Sequence, residues 1–310
     1  MPGSFGWSLL SRRSVSFGCL LLLLSSAPVL SFPVHGQTPI PLDPEERPGQ
    51  EVVPDGVTLV RDLPYAEHGG RLLAMDLYLP ESEKGTSRGV VLIHGETPAD
   101  RGKDHYAGLA GYLAANGIVA ASIEYRGARE APFPGAIEDA RAAVGWLRSH
   151  APEYRLDPTA IGALGENFGG YLAAMLGVAS DIGVGEDPES VSDGNPSVQA
   201  VFAVHPIVDL KEYNSHVEFP WYLQVYLGKP YSQIPGLWKE ASPLTYVDAR
   251  SATFLFAHGP EDREVPLQQS SVMRDALKAE GVRAEIYSPE GAGNGFFDQP
   301  NPRLSRSVVE

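Results

Sequence analysis

Short apolar runs recur along the chain and alternate with stretches of helical periodicity. Residues 89–95, 118–123 and 253–257 are almost continuously apolar, which is typical of strands buried on both faces of a sheet. The runs at residues 160–164 and 198–204 have the same character. Each run is short and bounded by polar or glycine-containing sequence, so the pattern predicts separate buried strands rather than helices.

Helices are predicted between these strands. An amphipathic helix follows Pro134, with apolar residues at helical spacing: Ile137, Ala140, Val144 and Leu147. Similar patterns predict helices over residues 106–116, where Gly117 supplies a C-terminal cap, and over residues 268–280.

The first two strands read as a hairpin. Residues 58–65 and 72–79 are strand-like and flank the turn signal Glu67-His68-Gly69-Gly70. A final strand is predicted at residues 283–287. A hairpin followed by alternating strands and helices predicts an α/β fold with a mostly parallel central sheet and helices on both faces.

Residues 207–247 interrupt this alternation. The segment contains Phe219-Pro220-Trp221-Tyr222, Trp238 and further prolines. We predict a small cap-like insertion over the C-terminal edge of the sheet, with a packed loop as the alternative. The aromatic residues fit both interpretations.

Residues 1–36 have the features of a secretory signal peptide, with an uncleaved anchor as the alternative. Arg12 and Arg13 precede an apolar segment shorter than the roughly 20 residues that span a bilayer. Because the segment is short, we expect no membrane span in the mature chain. Cys19 is the only cysteine and lies in this segment, so we expect no disulfide in the mature chain. The signal predicts a secreted or periplasmic protein. Residues 37–56 are predicted to be a Pro-rich linker, and residues 57–310 the folded domain.

The charge balance narrows the range of partners. With 24 Lys and Arg against 39 Asp and Glu, the net charge is −15. Such a surface repels nucleic acid and anionic membranes, so neither is an expected partner.

The candidate chemistry begins at Gly165-Glu166-Asn167-Phe168-Gly169-Gly170. A strand, a glycine-rich turn and a helix form the context of the nucleophile elbow, G-x-S-x-G, which presents a serine hydroxyl above the sheet. Asn167 stands at the serine position. A carboxamide is not a competent nucleophile, and any tight strand-to-helix turn is the alternative interpretation of this glycine cluster.

A hydrolytic triad also needs an imidazole and an orienting carboxylate, in the chain order Ser, Asp or Glu, His. Asp262 follows the strand at residues 253–257 and is the candidate acid, with a surface turn or helix cap as the alternative. Asn294, in the loop after the last strand, holds the place expected for histidine. The chain has no histidine after His258. Asparagine cannot take up and release a proton near neutral pH, so it cannot act as a general base.

Candidate oxyanion-hole donors are backbone amides. One belongs to Phe168, after the nucleophile position, and the others to Gly95 and Glu96, in the loop after the strand at residues 89–95. The loop continues as Glu96-Thr97-Pro98. A carboxylate at Glu96 that pointed inward would weaken anion binding.

Together these pieces resemble the α/β-hydrolase fold of the esterase/lipase superfamily, in the secreted bacterial branch similar to feruloyl esterases and dienelactone hydrolases. The resemblance covers residues 57–296 and is carried by these segments: 76–80, His94-Gly95, 138–148, 165–170, Ser242-Pro243, 258–266 and 291–293. It implies carboxylic-ester hydrolysis without a cofactor or metal. By the family motif, Asn167 replaces the serine, Asn294 the histidine, and Glu96-Thr97 part of a glycine-rich oxyanion loop, whereas Asp262 is kept.

Three hypotheses follow. The first is a pseudoenzyme that keeps the fold, has lost the chemistry, and binds a small-molecule or carbohydrate ester. The second is an active hydrolase that uses a relocated nucleophile and a base such as His105, His205 or His216. The third is an inactivated variant of an active enzyme, which the sequence alone does not separate from natural loss.

Overall fold

In the part of the chain that the structure describes, eight strands form one sheet in the order β1-β2-β4-β3-β5-β6-β7-β8. The structure is a computed structural model that describes residues 53–81, 85–95, 102–178, 196–216 and 221–295, without the side chain of Trp221. These residues belong to one unit of the chain, Ile40–Glu310. The predicted signal peptide and the linker up to residue 52 lie outside the described residues and stay predictions.

The strands are β1 (Val57–His68), β2 (Arg71–Pro80), β3 (Ser87–Ile93), β4 (Val119–Ile123), β5 (Leu156–Glu166), β6 (Ala200–Val204), β7 (Thr253–Ala257) and β8 (Ala284–Tyr287). The helices are α1 (Ala107–Ala115), α2 (Gly135–Ser149), α3 (Phe168–Val178), α4 (Leu210–His216), α5 (Trp221–Leu227), α6 (Pro235–Glu240) and α7 (Gln268–Ala279). Two 3₁₀ helices lie at Gly102–Tyr106 and Pro243–Tyr246.

The hairpin and the parallel sheet are both confirmed. β1 pairs antiparallel with β2, and β2 pairs antiparallel with β4. From β4 through β3 to β8 every pairing is parallel. The carboxyl ends of β5, β6 and β7 therefore lie side by side at one edge, where open α/β sheets place their sites.

Helices cover both faces because the central strands alternate their apolar side chains between two hydrophobic clusters. Val91 and Ile93 of β3 belong to the larger cluster, together with residues of α2, α3 and α7. Leu92 points the opposite way and joins residues of α1. This two-sided burial explains why the central strands read as continuous apolar runs.

β5 begins earlier than the apolar run predicted. Leu156 already pairs with Ser87, and the ladder then shifts register before Ile161 pairs with Gly89. Pro158 lies in the shifted stretch, where its missing N–H costs no ladder hydrogen bond. The stretch around Pro158 is thus an irregularity within one strand.

The segment 207–247 forms α4, α5, α6 and the second 3₁₀ helix, inserted between β6 and β7. Its described aromatic residues are largely packed: Tyr213, Tyr226 and Trp238 are 3%, 1% and 0% exposed. Phe219 and Pro220 lie outside the described residues. The insertion is therefore a set of short helices anchored in the core by aromatic side chains.

Candidate functional site

Asn167 forms the apex of a sharp turn between β5 and α3. Its φ angle is 52°, in the left-handed region that few non-glycine residues adopt. Asparagine tolerates this region better than most residues do, because its short polar side chain can hydrogen-bond locally. The turn is held by two backbone bonds: Asn167 N–H donates to Val204 O at 3.0 Å, and Tyr171 N–H donates to Asn167 O at 3.0 Å.

The glycines on either side permit a close approach of helix and sheet. A Cβ atom on Gly169 would lie 1.9 Å from Ile93 O, and one on Gly165 would lie 2.3 Å from Gly169 O. No side chain fits at such distances, so the first turn of α3 packs directly on the ends of β3 and β5. The turn therefore has the backbone form expected of a nucleophile elbow. The role of Asn167 as the residue at the nucleophile position stays a prediction.

The structure brings Asp262 and Asn294 together. Asp262, in the loop after β7, is 9% exposed, and its Oδ1 accepts hydrogen bonds from the N–H groups of Glu264 at 2.9 Å and Val265 at 2.8 Å. Its Oδ2 accepts a bond from Asn294 Nδ2 at 3.0 Å. The carboxylate is therefore fixed by the backbone on one oxygen and faces the Asn294 amide with the other.

The two loops that carry these residues are in close contact. Glu261 N–H donates to Ala292 O at 2.9 Å, and a Cβ on Gly259 would lie 2.4 Å from the same oxygen. Because β7 and β8 are neighbours, their following loops meet at the same edge of the sheet.

The predicted oxyanion donors are only partly described. Phe168 is the first residue of α3, where backbone N–H groups have no carbonyl partner within the helix. Gly95 follows β3, whereas Glu96 and Thr97 lie outside the described residues. The Phe168 ring packs against the rings of Tyr125, Tyr171 and Tyr226, with centroids 5.0–6.1 Å apart. Through Tyr226 of α5, this aromatic cluster joins the insertion to the elbow.

Behind the elbow lies a buried group of ionisable residues that the motif analysis did not predict. Glu166 is 4% exposed, and its Oε1 lies 3.0 Å from His205 Nε2. Its other oxygen lies 3.9 Å from His105 Nε2. His205 is 0% exposed, and its Nδ1 lies 3.9 Å from Asp262 Oδ2. Glu166, His205 and Asp262 thus form a buried row across the ends of β5, β6 and β7.

Glu166 is held in its ionised form. Burial by itself would raise its pKa, but hydrogen bonds from His105 and His205, together with the attraction of their charges, lower the pKa of Glu166 to about 2. A carboxylate can only accept hydrogen bonds, so His205 donates through Nε2.

His258 is accounted for by local hydrogen bonds. Its Nε2–H donates to Val265 O at 2.8 Å, and its Nδ1 lies 2.7 Å from the Ser270 hydroxyl, which can donate to a neutral ring. Burial lowers the pKa of His258, which favours this neutral form. His258 therefore fits the structural role that strand-end histidines often have.

One sequence signal pointed to the buried row. Glu166 and His205 stand at or directly after the ends of β5 and β6, Asp262 lies in the loop after β7, and these three strands are adjacent and parallel. Ionisable residues at the ends of neighbouring parallel strands must lie close together.

Among the described residues, no group of three or more His, Cys, Asp or Glu side chains has an arrangement suited to a metal ion. None of the described helices combines the length and apolarity of a membrane-spanning segment.

Comparison with known families places this site in context. The sequence profile of the BD-FAE family matches residues 75–277, most of the described domain. Esterase LipQ of Mycobacterium tuberculosis is 29% identical over 257 residues, covering 80% of this chain and 60% of that protein. A probable isoprenylcysteine alpha-carbonyl methylesterase, ICMEL1 of Arabidopsis thaliana, is 25% identical, covering 70% of this chain and 47% of that protein. The chain thus spans about half to three fifths of the length of these relatives.

Solved structures agree in fold. A truncated carbohydrate esterase from gut microbiota superimposes with a TM-score of 0.70 at 25% identity, covering 81% of this chain and 94% of that one. The thermophilic esterase Est2 of Thermogutta terrifontis, solved with propionate, gives a TM-score of 0.66 at 26% identity, covering 82% of this chain and 91% of that one. The predicted α/β-hydrolase fold is confirmed by these structures and by the sheet order.

Proposed function

Because the chain belongs to the BD-FAE family, a family of carboxylic-ester hydrolase type, we propose that it is a pseudoenzyme which keeps the hydrolase fold to bind an ester ligand and lacks the hydrolytic chemistry. The observation that carries this proposal is the bond from Asn294 Nδ2 to Asp262 Oδ2 at 3.0 Å. An amide occupies the place from which an imidazole would face the acid.

That amide reproduces only half of what a histidine does. It donates a hydrogen bond to Asp262, so the buried carboxylate keeps its partner and the loop keeps its shape. It cannot accept a proton from a nucleophile or pass one to a leaving group near neutral pH. Position 294 therefore retains the structural contact of a triad histidine without its acid-base function.

The elbow also supports the loss of catalysis. Asn167 has the backbone geometry of the nucleophile position, with φ at 52°, but its side chain offers a carboxamide in place of a hydroxyl. Loss of triad members in a hydrolase lowers the rate by up to about 10⁶-fold, and the remainder comes from binding and the oxyanion hole. A chain that lacks both nucleophile and base is expected to retain only that remainder.

The ligand class follows from the charges and from the relatives. The buried carboxylates of Glu166 and Asp262, with a net charge of −15 on the whole chain, disfavour an anionic ligand. Carboxamides at positions 167 and 294 both donate and accept hydrogen bonds, which suits ester carbonyls and sugar hydroxyls. One structural neighbour is described as a carbohydrate esterase. We therefore propose a neutral, acylated carbohydrate as the ligand.

A direct activity test comes first. The purified domain is treated with a fluorophosphonate probe and with a short-chain nitrophenyl ester. The proposal expects no covalent labelling and turnover at the background rate. Titration with acetylated or feruloylated oligosaccharides, followed by NMR or calorimetry, should then show binding without release of the acid. Labelling of the native chain within minutes would contradict the loss of catalysis.

The reciprocal test restores the triad. Asn167→Ser combined with Asn294→His should regain measurable hydrolysis, while either change alone should not, since nucleophile and base act as a unit. The matched control combines Asn167→Ser with Asn116→His, which introduces the same residue type at the exposed C-terminal cap of α1. If the control were as active as the restored pair, the assignment of position 294 would be wrong.

An active hydrolase with a relocated base is the second candidate. His205 is the imidazole nearest to the elbow network, but it is 0% exposed and faces Glu166 and Asp262, so a substrate cannot reach it in this conformation. His216 is exposed on α4, where it pairs with Glu212 of the same helix. Ester turnover that is abolished by His105→Ala would support this alternative, because His105 is the partly exposed member of the group.

A further inference from the structure

His205 occupies a constrained position at the end of β6. Its φ angle is 31°, outside the range comfortable for a residue with a β-carbon. Its N–H donates to Ala257 O at 2.9 Å, and the preceding residue, Val204, accepts the N–H of Asn167. Backbone bonds on both sides thus fix the ring directly behind the elbow, and strain of this kind persists only where the surroundings impose it.

The two ring nitrogens of His205 face two different carboxylates. Nε2 lies 3.0 Å from Glu166 Oε1, and Nδ1 lies 3.9 Å from Asp262 Oδ2. All three side chains are buried. Burying two carboxylates is costly unless a positive charge accompanies them, and an imidazolium is the cation that this geometry offers to both.

Neither of the other two nearby histidines, His258 and His105, supplies a positive charge to Asp262. His258 Nε2 lies 3.6 Å from Asp262 Oδ2 and its ring is 6.1 Å from that of His205, but its bonds to Val265 and Ser270 are complete in the neutral form, which burial favours by lowering its pKa. His105 lies on the far side, where it faces Glu166. His205 is therefore the group whose charge acts on both carboxylates.

We propose that His205 is a positioning residue whose imidazolium joins Glu166 and Asp262 into one buried ionic bridge, so that Asp262 is a weaker acid partner for a histidine placed at position 294. This inference deepens the proposed function and rests on it. In a working triad the acid stabilises the imidazolium that forms when the base takes up a proton. A positive charge on the other side of the acid opposes that stabilisation.

His205 is thus a further departure from a catalytic site, one that the motif positions do not reveal. The ionic bridge predicts that the variant with restored nucleophile and base, Asn167→Ser with Asn294→His, has an impaired catalytic rate. It also gives a reason for the retention of Asp262, because the carboxylate balances the charge of His205 and accepts the Asn294 amide.

The first test examines the native chain. Side-chain ¹⁵N–¹H NMR, with His205 assigned through its backbone, should show protons on both ring nitrogens at pH 7. A single-proton, neutral ring at that pH would overturn the proposal. This measurement does not depend on activity, so it stands whether or not the native protein proves to be a pseudoenzyme.

The second test uses the restored pair, Asn167→Ser with Asn294→His. Adding His205→Asn removes the cation and keeps a side chain that tolerates positive φ. We expect kcat to rise about tenfold, the change that corresponds to one pKa unit, with KM nearly unchanged. The acid limb of the pH profile should move to higher pH, because the introduced base becomes more basic without a cation behind its acid.

The control is His150→Asn, which removes a histidine at the C-terminal cap of α2 in the same background. It should change neither the rate nor the pH profile. If His205→Asn left the pH profile of the restored pair unmoved, the bridge would have no electrostatic effect on Asp262, and the proposal would fail. If the restored pair were inactive, the proposed function's assignment of the triad would fail, and the NMR result would still decide the bridge.

Discussion

Glu166→Gln is the change that most directly tests the buried ionic group. Glutamine has nearly the shape of a protonated glutamate, so the substitution removes the charge and keeps the volume. The carboxylate is 4% exposed and lies 3.0 Å from His205 and 3.9 Å from His105. The substitution therefore measures how much more an ionised group than a neutral one contributes to the free energy of unfolding, at a site that solvent does not screen.

The magnitude follows from the pKa. The folded protein lowers the pKa of Glu166 from 4.5 to about 2, which corresponds to about 3 kcal/mol of stability. That value already contains the burial penalty, because burial acts against the lowering. A carboxyl whose folded pKa is depressed contributes its stability above the unfolded value, near pH 4.5, and loses it as pH falls toward 2. We expect Glu166→Gln to lower the free energy of unfolding by up to about 3 kcal/mol at pH 7, and by much less at pH 3.

Urea unfolding at pH 7, 5 and 3 measures both the size and the pH dependence. For a domain of this size, about 3 kcal/mol corresponds to a fall in Tm of roughly 6–12 °C. The control is Glu212→Gln, an exposed glutamate that also pairs with a histidine, at 3.5 Å from His216. Exposed ion pairs contribute about 0–1 kcal/mol, so the free energy of unfolding of the control should change little. Equal stability of Glu166→Gln and the native chain at pH 7, or an equal loss at pH 3 and pH 7, would refute the reasoning.

Three further substitutions test the elbow and the insertion. Gly169→Ala should destabilise by several kcal/mol in urea titration, because its Cβ would lie 1.9 Å from Ile93 O, whereas Gly236→Ala, with nothing within 4 Å, should be neutral or slightly stabilising. Asn167→Val should cost about 1–2 kcal/mol more than Asn167→Gly, since φ is 52° and a β-branched residue resists the left-handed region; equal stabilities would mean that the turn is not strained. Trp238→Ala should cost about 3–5 kcal/mol in the same assay, because Trp238 is 0% exposed; a loss below about 1 kcal/mol would mean that the insertion is not anchored by this ring.

The central strands could be predicted because their physical requirement leaves a clear pattern. The runs 90–93 of β3 and 254–257 of β7 are apolar and largely buried, and the predicted runs coincide with the observed strands to within two residues at each end. The insertion left no such pattern. α4, α5 and α6 have only six or seven residues each, which is too short for a helical period to be recognised.

The candidate site was likewise predictable from the sequence only in part. Asp262 and Asn294 could be placed together because each follows one of two adjacent strands, and their bond at 3.0 Å is present. The pairing of Glu166 with His205 depends on the directions of two side chains at strand ends. Sequence spacing fixes the positions of these residues but not whether the side chains turn inward to each other or outward to solvent.

The two asparagines satisfy what the fold requires at their positions while omitting what catalysis requires. At position 167 the backbone needs a residue that accepts a φ of 52°, and asparagine does so. At position 294 the buried carboxylate of Asp262 needs a hydrogen-bond donor, and the amide provides one at 3.0 Å. An alanine at either place would have left strain or an unsatisfied carboxylate, each costing about 1–3 kcal/mol. The fold's demands and the reaction's demands on these residues are therefore separable, which is why a chain with asparagine at both positions can keep the elbow, the acid loop and the contact between Asp262 and Asn294 intact.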